Sequence, residues 1–458
     1  MIRFALDDTI ASLATPVGAG ALSIIRVSGP EASLVVARVF RGERELSALQ
    51  GFQGAHGWLF DAAGAVDEVV VWVYRAPRSY TGEDMIEISC HGGSVSASRA
   101  LEALWAAGAR PAEPGEFTRR AFLHGRIDLA QAEAVADVIE ARGRRAHEQA
   151  LAQLQGGLSR RVRELAGEIR EVLLVIEAHL DFGEDVPEVP ESGALATRLM
   201  GAERELDRLA GSYLPSRRVR EGYVIALIGK PNVGKSSLLN ALSGRDRALV
   251  HDAPGTTRDV VDVVVEWSGI PVRLVDTAGL RVAGADAVEE AGMERTRLEA
   301  GAADAVLWVV DVSRAPSEED EAAATGLDMS RVVLALNKSD LGVSGLEWWA
   351  NNYSPAYRRF VVSALSGAGV SELQLALETM VSAGCDESMW VTNERHARQL
   401  VSAQEGLGRA QGVLETGGNL ELCAADLGRA LGSLAAITGD DVDDDLLDAI
   451  FSRFCIGK

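Results

Sequence analysis

Residues Gly229 to Ser236 read G-K-P-N-V-G-K-S, between an apolar run at 223–228 and a helix-compatible run at 237–242. Strand, glycine loop, helix is the setting that turns G-x-x-x-x-G-K-S into a phosphate-binding loop. Gly229 and Gly234 let the backbone curl so that successive N–H groups face an anion at the positive end of the following helix. Lys235 then offers a point charge to the terminal phosphates, and Ser236 a hydroxyl ligand for Mg2+.

Three further stretches fix the nucleotide. Asn337, Lys338, Ser339 and Asp340 follow the buried-strand candidate 331–336. The Asp340 carboxylate can accept from guanine N1–H and the 2-amino group together, whereas adenine has no such donor pair and would leave it unmatched. Asp276, Thr277, Ala278 and Gly279 close a strand at 271–275, bringing a carboxylate to the metal and a flexible glycine to the γ-phosphate. Gly255 and Thr256 lead to Thr257, suited to complete the Mg2+ shell. Each short motif is weak alone. In this order, each at a strand end, the four predict a GTPase.

The elements that must hold these residues follow from pattern and composition. A chain of 458 residues suggests about three domains. Alternating strands and helices over 222–381 predict a doubly wound, Ras-like α/β domain. Apolar residues from Leu151 to Leu180 recur at gaps of three and four, which predicts one long amphipathic helix. Pro187, Pro190 and Gly193 mark a break after it, and 396–414 and 420–437 read as helices again. The economical organisation is a multidomain α/β protein. It has an α+β domain over 1–122 with strands at 69–73 and 85–89, and a helical domain in two halves, 123–221 and 382–458. The GTPase is inserted between those halves.

The chain has no apolar stretch of membrane-spanning length and no secretory start, and its cysteines Cys90, Cys385, Cys423 and Cys455 lie far apart. That argues against a disulfide framework or a zinc knuckle and suits a reducing cytoplasm. The net charge of −22 confines any nucleic-acid contact to a local patch. The run Asp440 to Asp445 lacks the EF-hand's glycine and closing Glu, and reads as a solvated helix start.

Thr9-Ile10-Ala11, S-Y-T-G-E-D from Ser79, C-H-G-G from Cys90, P-G-E-F from Pro114, A-F-L from Ala121, D-L-A-Q-A-E-A from Asp128 and F-C-I-G-K from Phe454 together resemble the MnmE (TrmE) family of tRNA modification GTPases. The resemblance runs end to end. It implies a homodimer working with an FAD-dependent partner, MnmG, to install a carboxymethylaminomethyl or aminomethyl group on C5 of the wobble uridine of certain tRNAs. It also implies a folate-binding N-terminal domain, with 5-formyl- or 5,10-methylene-tetrahydrofolate as ligand, and K+-dependent hydrolysis by paired GTPase heads.

Carried over residue by residue, the resemblance implies GTP contacts from Asn232, Val233, Gly234, Lys235, Ser236 and Ser237. A second set is His251, Asp252, Ala253, Pro254, Gly255, Thr256 and Thr257. Thr277, Ala278 and Gly279 add to Asp276, and Ser363, Ala364 and Leu365 add to Asn337, Lys338 and Asp340. Leu280 stands where many small GTPases carry a water-orienting Gln, so another residue must do that work. The stretch V-E-E-A-G-M-E-R from Val288 resembles the family segment whose first Glu does so, which points to Glu289, with Glu290 as the minority alternative. Asn232 matches the K+ ligand, although Asn also suits a turn there. The backbone carbonyls of His251, Ala253 and Thr256 match the loop that closes over the ion.

The folate residues implied are Arg26, Glu87, Arg126 and Lys458, one acid for a pterin and bases for a glutamyl tail. Arg126 stands in place of the family's Lys. Cys455 reads either as a buried thiol or as a residue of the modification centre. Two other classes fit parts of the pattern. One is a ribosome-assembly or translational GTPase that binds RNA without modifying it. The other is a folate-dependent one-carbon transferase with the GTPase as a regulatory insert.

Overall fold

In the computed structural model, which describes residues 7–182, 192–244, 262–276, 300–318, 320, 325–352, 358–383 and 390–458, the period-two apolar patterning near the start of the chain becomes a seven-stranded sheet. Its strands are β1 (Ile10–Leu13), β2 (Leu22–Ser28), β3 (Phe40–Gly42), β4 (Gln53–Asp61), β5 (Gly64–Tyr74), β6 (Met85–His91) and β7 (Arg110–Pro111), in the order β3-β4-β5-β6-β2-β1-β7. Helices α1 (Ala32–Val39) and α2 (Ser94–Ala106) cover one face, burying Ile25, Val27, Ile86 and Ile88 against Val35, Val36, Ala100 and Leu104. Strand alternation sends Arg26 and Glu87 to the other face. They are register partners across β2 and β6.

A run of helices follows: α3 (Glu116–Leu123), α4 (Leu129–Glu140), α5 (Arg144–Leu154), α6 (Gly157–Phe182), α7 (Ser192–Gly211) and α8 (Tyr213–Glu221). The single helix expected through 151–180 is two. Gly156 adopts φ +81°, a left-handed conformation that favours glycine, and its N–H turns back to the Gln153 carbonyl at 2.9 Å. Beyond the break the stripe Leu158, Val162, Leu165, Ile169, Val172 and Ile176 is buried as its spacing requires. The break expected at Pro187 and Pro190 lies outside the described residues, and Gly193 lies within α7.

The second sheet is built from near-continuous apolar runs, as parallel strands covered on both faces require. β8 (Tyr223–Ile228), β9 (Asp262–Trp267), β10 (Ile270–Asp276), β11 (Ala305–Asp311), β12 (Val332–Asn337) and β13 (Arg358–Val361) lie in the order β13-β12-β11-β8-β10-β9, with only β9 antiparallel. Helices α9 (Lys235–Ser243) and α11 (Val370–Ser382) pack on one face. On the other face Trp308 meets Trp349 of α10 (Leu346–Asn352), the rings edge-to-face at 5.4 Å. The chain closes with α12 (Glu394–Thr416), α13 (Leu420–Thr438) and α14 (Asp444–Phe451), of which α13 packs along α6.

These elements form two compact units. One comprises Met1–Ile139, Leu151–Asp207 and Arg398–Lys458, and the other Glu140–Ala150 and Arg208–Ala397. The acidic run is a helix start. Asp443 caps α14 by accepting the Leu446 N–H at 2.8 Å, and Asp440 accepts the Thr438 hydroxyl at 2.7 Å. Among the described residues no helix is long and apolar enough to cross a membrane, and no cluster of His, Cys, Asp or Glu could hold a metal by itself.

Candidate functional site

The phosphate loop leaves β8, and α9 begins at Lys235 with Gly234 as its left-handed cap at φ +97°. Lys235 is buried, and its ammonium donates to the carbonyls of Gly229 at 2.7 Å and Lys230 at 2.6 Å. The positive charge is thereby held over the loop. One residue on, the Ser236 hydroxyl donates to the Asp276 carboxylate at 2.7 Å. Asp276 ends β10 beside β8, so two residues far apart in sequence bring hard oxygen donors together, a set that fits Mg2+. Asn232 sits in the loop at φ +64°.

The base-side motif is tied to this loop through Asn337, which is buried at the end of β12. Its amide donates to the Val233 carbonyl at 2.8 Å and accepts the Ala364 N–H at 3.0 Å, which joins the phosphate loop to the segment holding Ser363, Ala364 and Leu365. The Ser363 hydroxyl donates to Asp340 at 2.5 Å. Leu365 is exposed. Strand ends β8, β10 and β12 thus converge where open α/β sheets bind ligands. His251, Asp252, Ala253, Pro254, Gly255, Thr256, Thr257, Thr277, Ala278, Gly279, Glu289 and Glu290 lie outside the described residues.

A second cluster forms on the face of the seven-stranded sheet opposite α1 and α2. Arg26 donates twice to one oxygen of Glu87, at 3.1 and 2.8 Å, and the Tyr74 hydroxyl donates to the other at 3.2 Å. Burial first, and then Glu87, push the Tyr74 phenol above its ordinary pKa. The Arg26 guanidinium lies 4.8 Å from the Tyr80 ring centre and 5.6 Å from that of Phe117, and Arg126 lies 5.2 Å from Tyr80. The residues 455–458 seat on α3 and its cap, where Phe117 N–H donates to the Lys458 carbonyl at 3.2 Å and Gly115 N–H to that of Cys455 at 3.4 Å.

Burial and the nearby Arg26 pull the Lys458 ammonium below its usual pKa, against Glu87 and Cys455. Arg26, Glu87, Arg126 and Lys458 are therefore brought to one place. The Cys455 side chain is exposed, not buried. Tyr74, Tyr80 and Phe117 were not singled out as site residues from sequence, although Tyr80 and Phe117 lie in motifs quoted above.

Family models match most of the chain. One described as GTP-binding protein TrmE N-terminus matches residues 9–126, and one described as MnmE helical domain matches residues 129–455. The tRNA modification GTPase MnmE of Moorella thermoacetica is 44% identical over 470 residues, covering 99% of this chain and 100% of its own. That of Carboxydothermus hydrogenoformans is 42% identical over 462 residues, with 99% and 100% covered. Among solved structures, Aquifex aeolicus Era bound to GDP and AlF4− is 25% identical, with 40% of this chain and 66% of its own covered and a TM-score of 0.29. The G domain of the T. maritima FeoB iron transporter is 27% identical, with 34% and 98% covered and a TM-score of 0.26.

Proposed function

The chain belongs to the MnmE family of tRNA modification GTPases, and we propose that it spends GTP, with K+ and Mg2+, to install a carboxymethylaminomethyl or aminomethyl group at C5 of the wobble uridine, as a homodimer working with FAD-dependent MnmG on a folate one-carbon donor. A GTP hydrolase acting in tRNA modification follows from membership alone. The finer reading rests on the residues.

The observation that carries the GTPase site is the hydrogen bond from Ser236 to Asp276 beside the buried Lys235. When bound, Mg2+ supplies charge neutralisation between the β- and γ-phosphates. Ser236 would ligate it, Asp276 would orient the ligands, and Thr257 would join them. Lys235 would exchange its loop carbonyls for phosphate oxygens, and Asp340 would read the base. Asn232, with the carbonyls of His251, Ala253 and Thr256, would hold K+, and Glu289 would position the attacking water.

Folate binding is supported by the composition of the second cluster. Arg26, Arg126 and Lys458 gather beside the carboxylate of Glu87. An anionic ligand would pair with these cations, and aromatic walls from Tyr80 and Phe117 suit a flat ring.

The test is wobble-nucleoside mass spectrometry on tRNA incubated with the purified chain, MnmG, tetrahydrofolate donor and GTP. The modified uridine should form only when all are present. GTP hydrolysis without any change in the nucleoside would favour an RNA-binding switch. Modification without MnmG would favour an autonomous one-carbon transferase.

A further inference from the structure

Asp311 ends β11 as Asn337 ends β12, and the two are partners in the parallel register. One residue later Lys338 takes φ +65°, left-handed for a residue with a side chain. Its ammonium donates to one oxygen of Asp311 at 2.8 Å. The other oxygen accepts the Ser313 hydroxyl at 2.6 Å and the Ser313 N–H at 3.1 Å. The carboxylate is thus anchored on both sides before it meets the lysine. Side-chain exposures of 13% for Asp311 and 26% for Lys338 keep the pair out of most solvent screening. Burial alone would raise the Asp311 carboxyl, but the bonds from Lys338 and Ser313 outweigh it and hold it below the usual range, so the carboxylate stays ionised at neutral pH.

We propose that Asp311 is a positioning residue for guanine-nucleotide binding, holding the Lys338 side chain in one orientation between Asn337 and Asp340 before the nucleotide arrives. A free lysine samples many rotamers, and ordering it on binding weakens affinity; a lysine already fixed avoids that loss. The anchored carboxylate at the adjacent strand end does the fixing, and the backbone strain at Lys338 is offset by the ion pair it allows. This rests on the reading of Asn337, Lys338 and Asp340 as the base site.

The test uses the full chain, stopped-flow release of a fluorescent GDP, and steady-state GTP hydrolysis. Asp311→Ala should accelerate release about ten-fold, the order expected for one charged hydrogen bond, and should raise KM for GTP more than it lowers kcat. In a Lys338→Met background the same change should add little, because the group it positions is gone. Asp311→Asn keeps the shape and a Ser313 partner but loses the charge, and should move release in the same direction if the alanine variant folds poorly.

Unchanged release in both Asp311 variants would overturn the proposal. So would equal acceleration with and without Lys338, the mark of a merely structural residue. Asp340→Asn separates the two failures. If it speeds release while Asp311 variants do not, only the positioning role falls; if it too has no effect, the base-site reading falls with it.

Discussion

Gly234 and Asn337 stand so close that a Cβ added to the glycine would lie 2.3 Å from the asparagine side-chain nitrogen. The phosphate loop and the strand that ends at Asn337 are therefore packed backbone to side chain, with no room for a methyl group. Gly234 also sits at φ +97°. Gly234→Ala should lose GTP binding by more than about ten-fold, because it adds backbone strain of roughly 1–3 kcal/mol and also displaces Asn337. Titration with a fluorescent GTP analogue checks this; retained affinity would show that the loop can yield.

Asp340→Asn should weaken GTP binding and improve binding of xanthosine triphosphate, since an amide donor now meets the purine 2-oxo group. Competition between the two nucleotides is the measurement. Unchanged GTP affinity would remove Asp340 from the site.

Glu289→Ala should leave GTP binding nearly intact and slow hydrolysis by roughly two to four decades, the range for losing a positioned acid–base group. Glu290→Ala should do much less. Single-turnover rates at saturating GTP distinguish them, and equal losses from both would make the segment structural.

Hydrolysis should run faster in KCl than in NaCl at equal ionic strength, and the difference should grow with protein concentration if paired heads complete the carbonyl cage. Asn232→Ala should erase the preference more than it weakens nucleotide binding. Identical rates in the two salts at every concentration would exclude the ion site.

Arg120 predicts an acid limb. It is buried and bonds Asp8 at 2.5 Å, Glu116 at 3.0 Å and Glu83 at 3.2 Å. Burial would raise the carboxyls of Asp8 and Glu116, but bonds from Arg110 and Arg120, with the Glu113 N–H for Glu116, hold both below the ordinary carboxylate range. A depressed folded pKa gives stability that is present above the unfolded value, about 4, and is lost as pH falls through the folded one. Arg120→Met should cost about 3–5 kcal/mol near neutrality, as expected for breaking a buried pair. The deficit should shrink as pH drops toward 3, as followed by urea unfolding across pH. A deficit independent of pH would assign the loss to packing.

What the sequence disclosed was what is local in it. The loop from Gly229 to Ser236 carries its own context, because strand, turn and helix follow one another without interruption. The helix break at Gly156 was hidden, since Leu154 and Leu158 keep helical spacing across it and spacing carries no sign of φ. The pairing of Arg26 with Glu87 was also hidden, because it depends on the register of two strands whose partners lie 61 residues apart. Residues 140–150 group with the GTPase unit for a reason no periodicity displays. The Arg145 N–H bonds the Gly269 carbonyl in the turn between β9 and β10, at 2.9 Å.

The seat of Lys458 on Phe117 and the reach of Arg26 to the Gly457 carbonyl, at 3.5 Å across 431 positions of sequence, set an order of assembly. During synthesis the sheet bearing Arg26 and Glu87 can fold early, but its cation cluster stays one member short until residues 455–458 have emerged. A fragment cut after residue 126 would keep the sheet and lose that member. The ligand site proposed on this sheet would in this sense be spread over residues separated by almost the whole sequence, and complete only once 455–458 are in place.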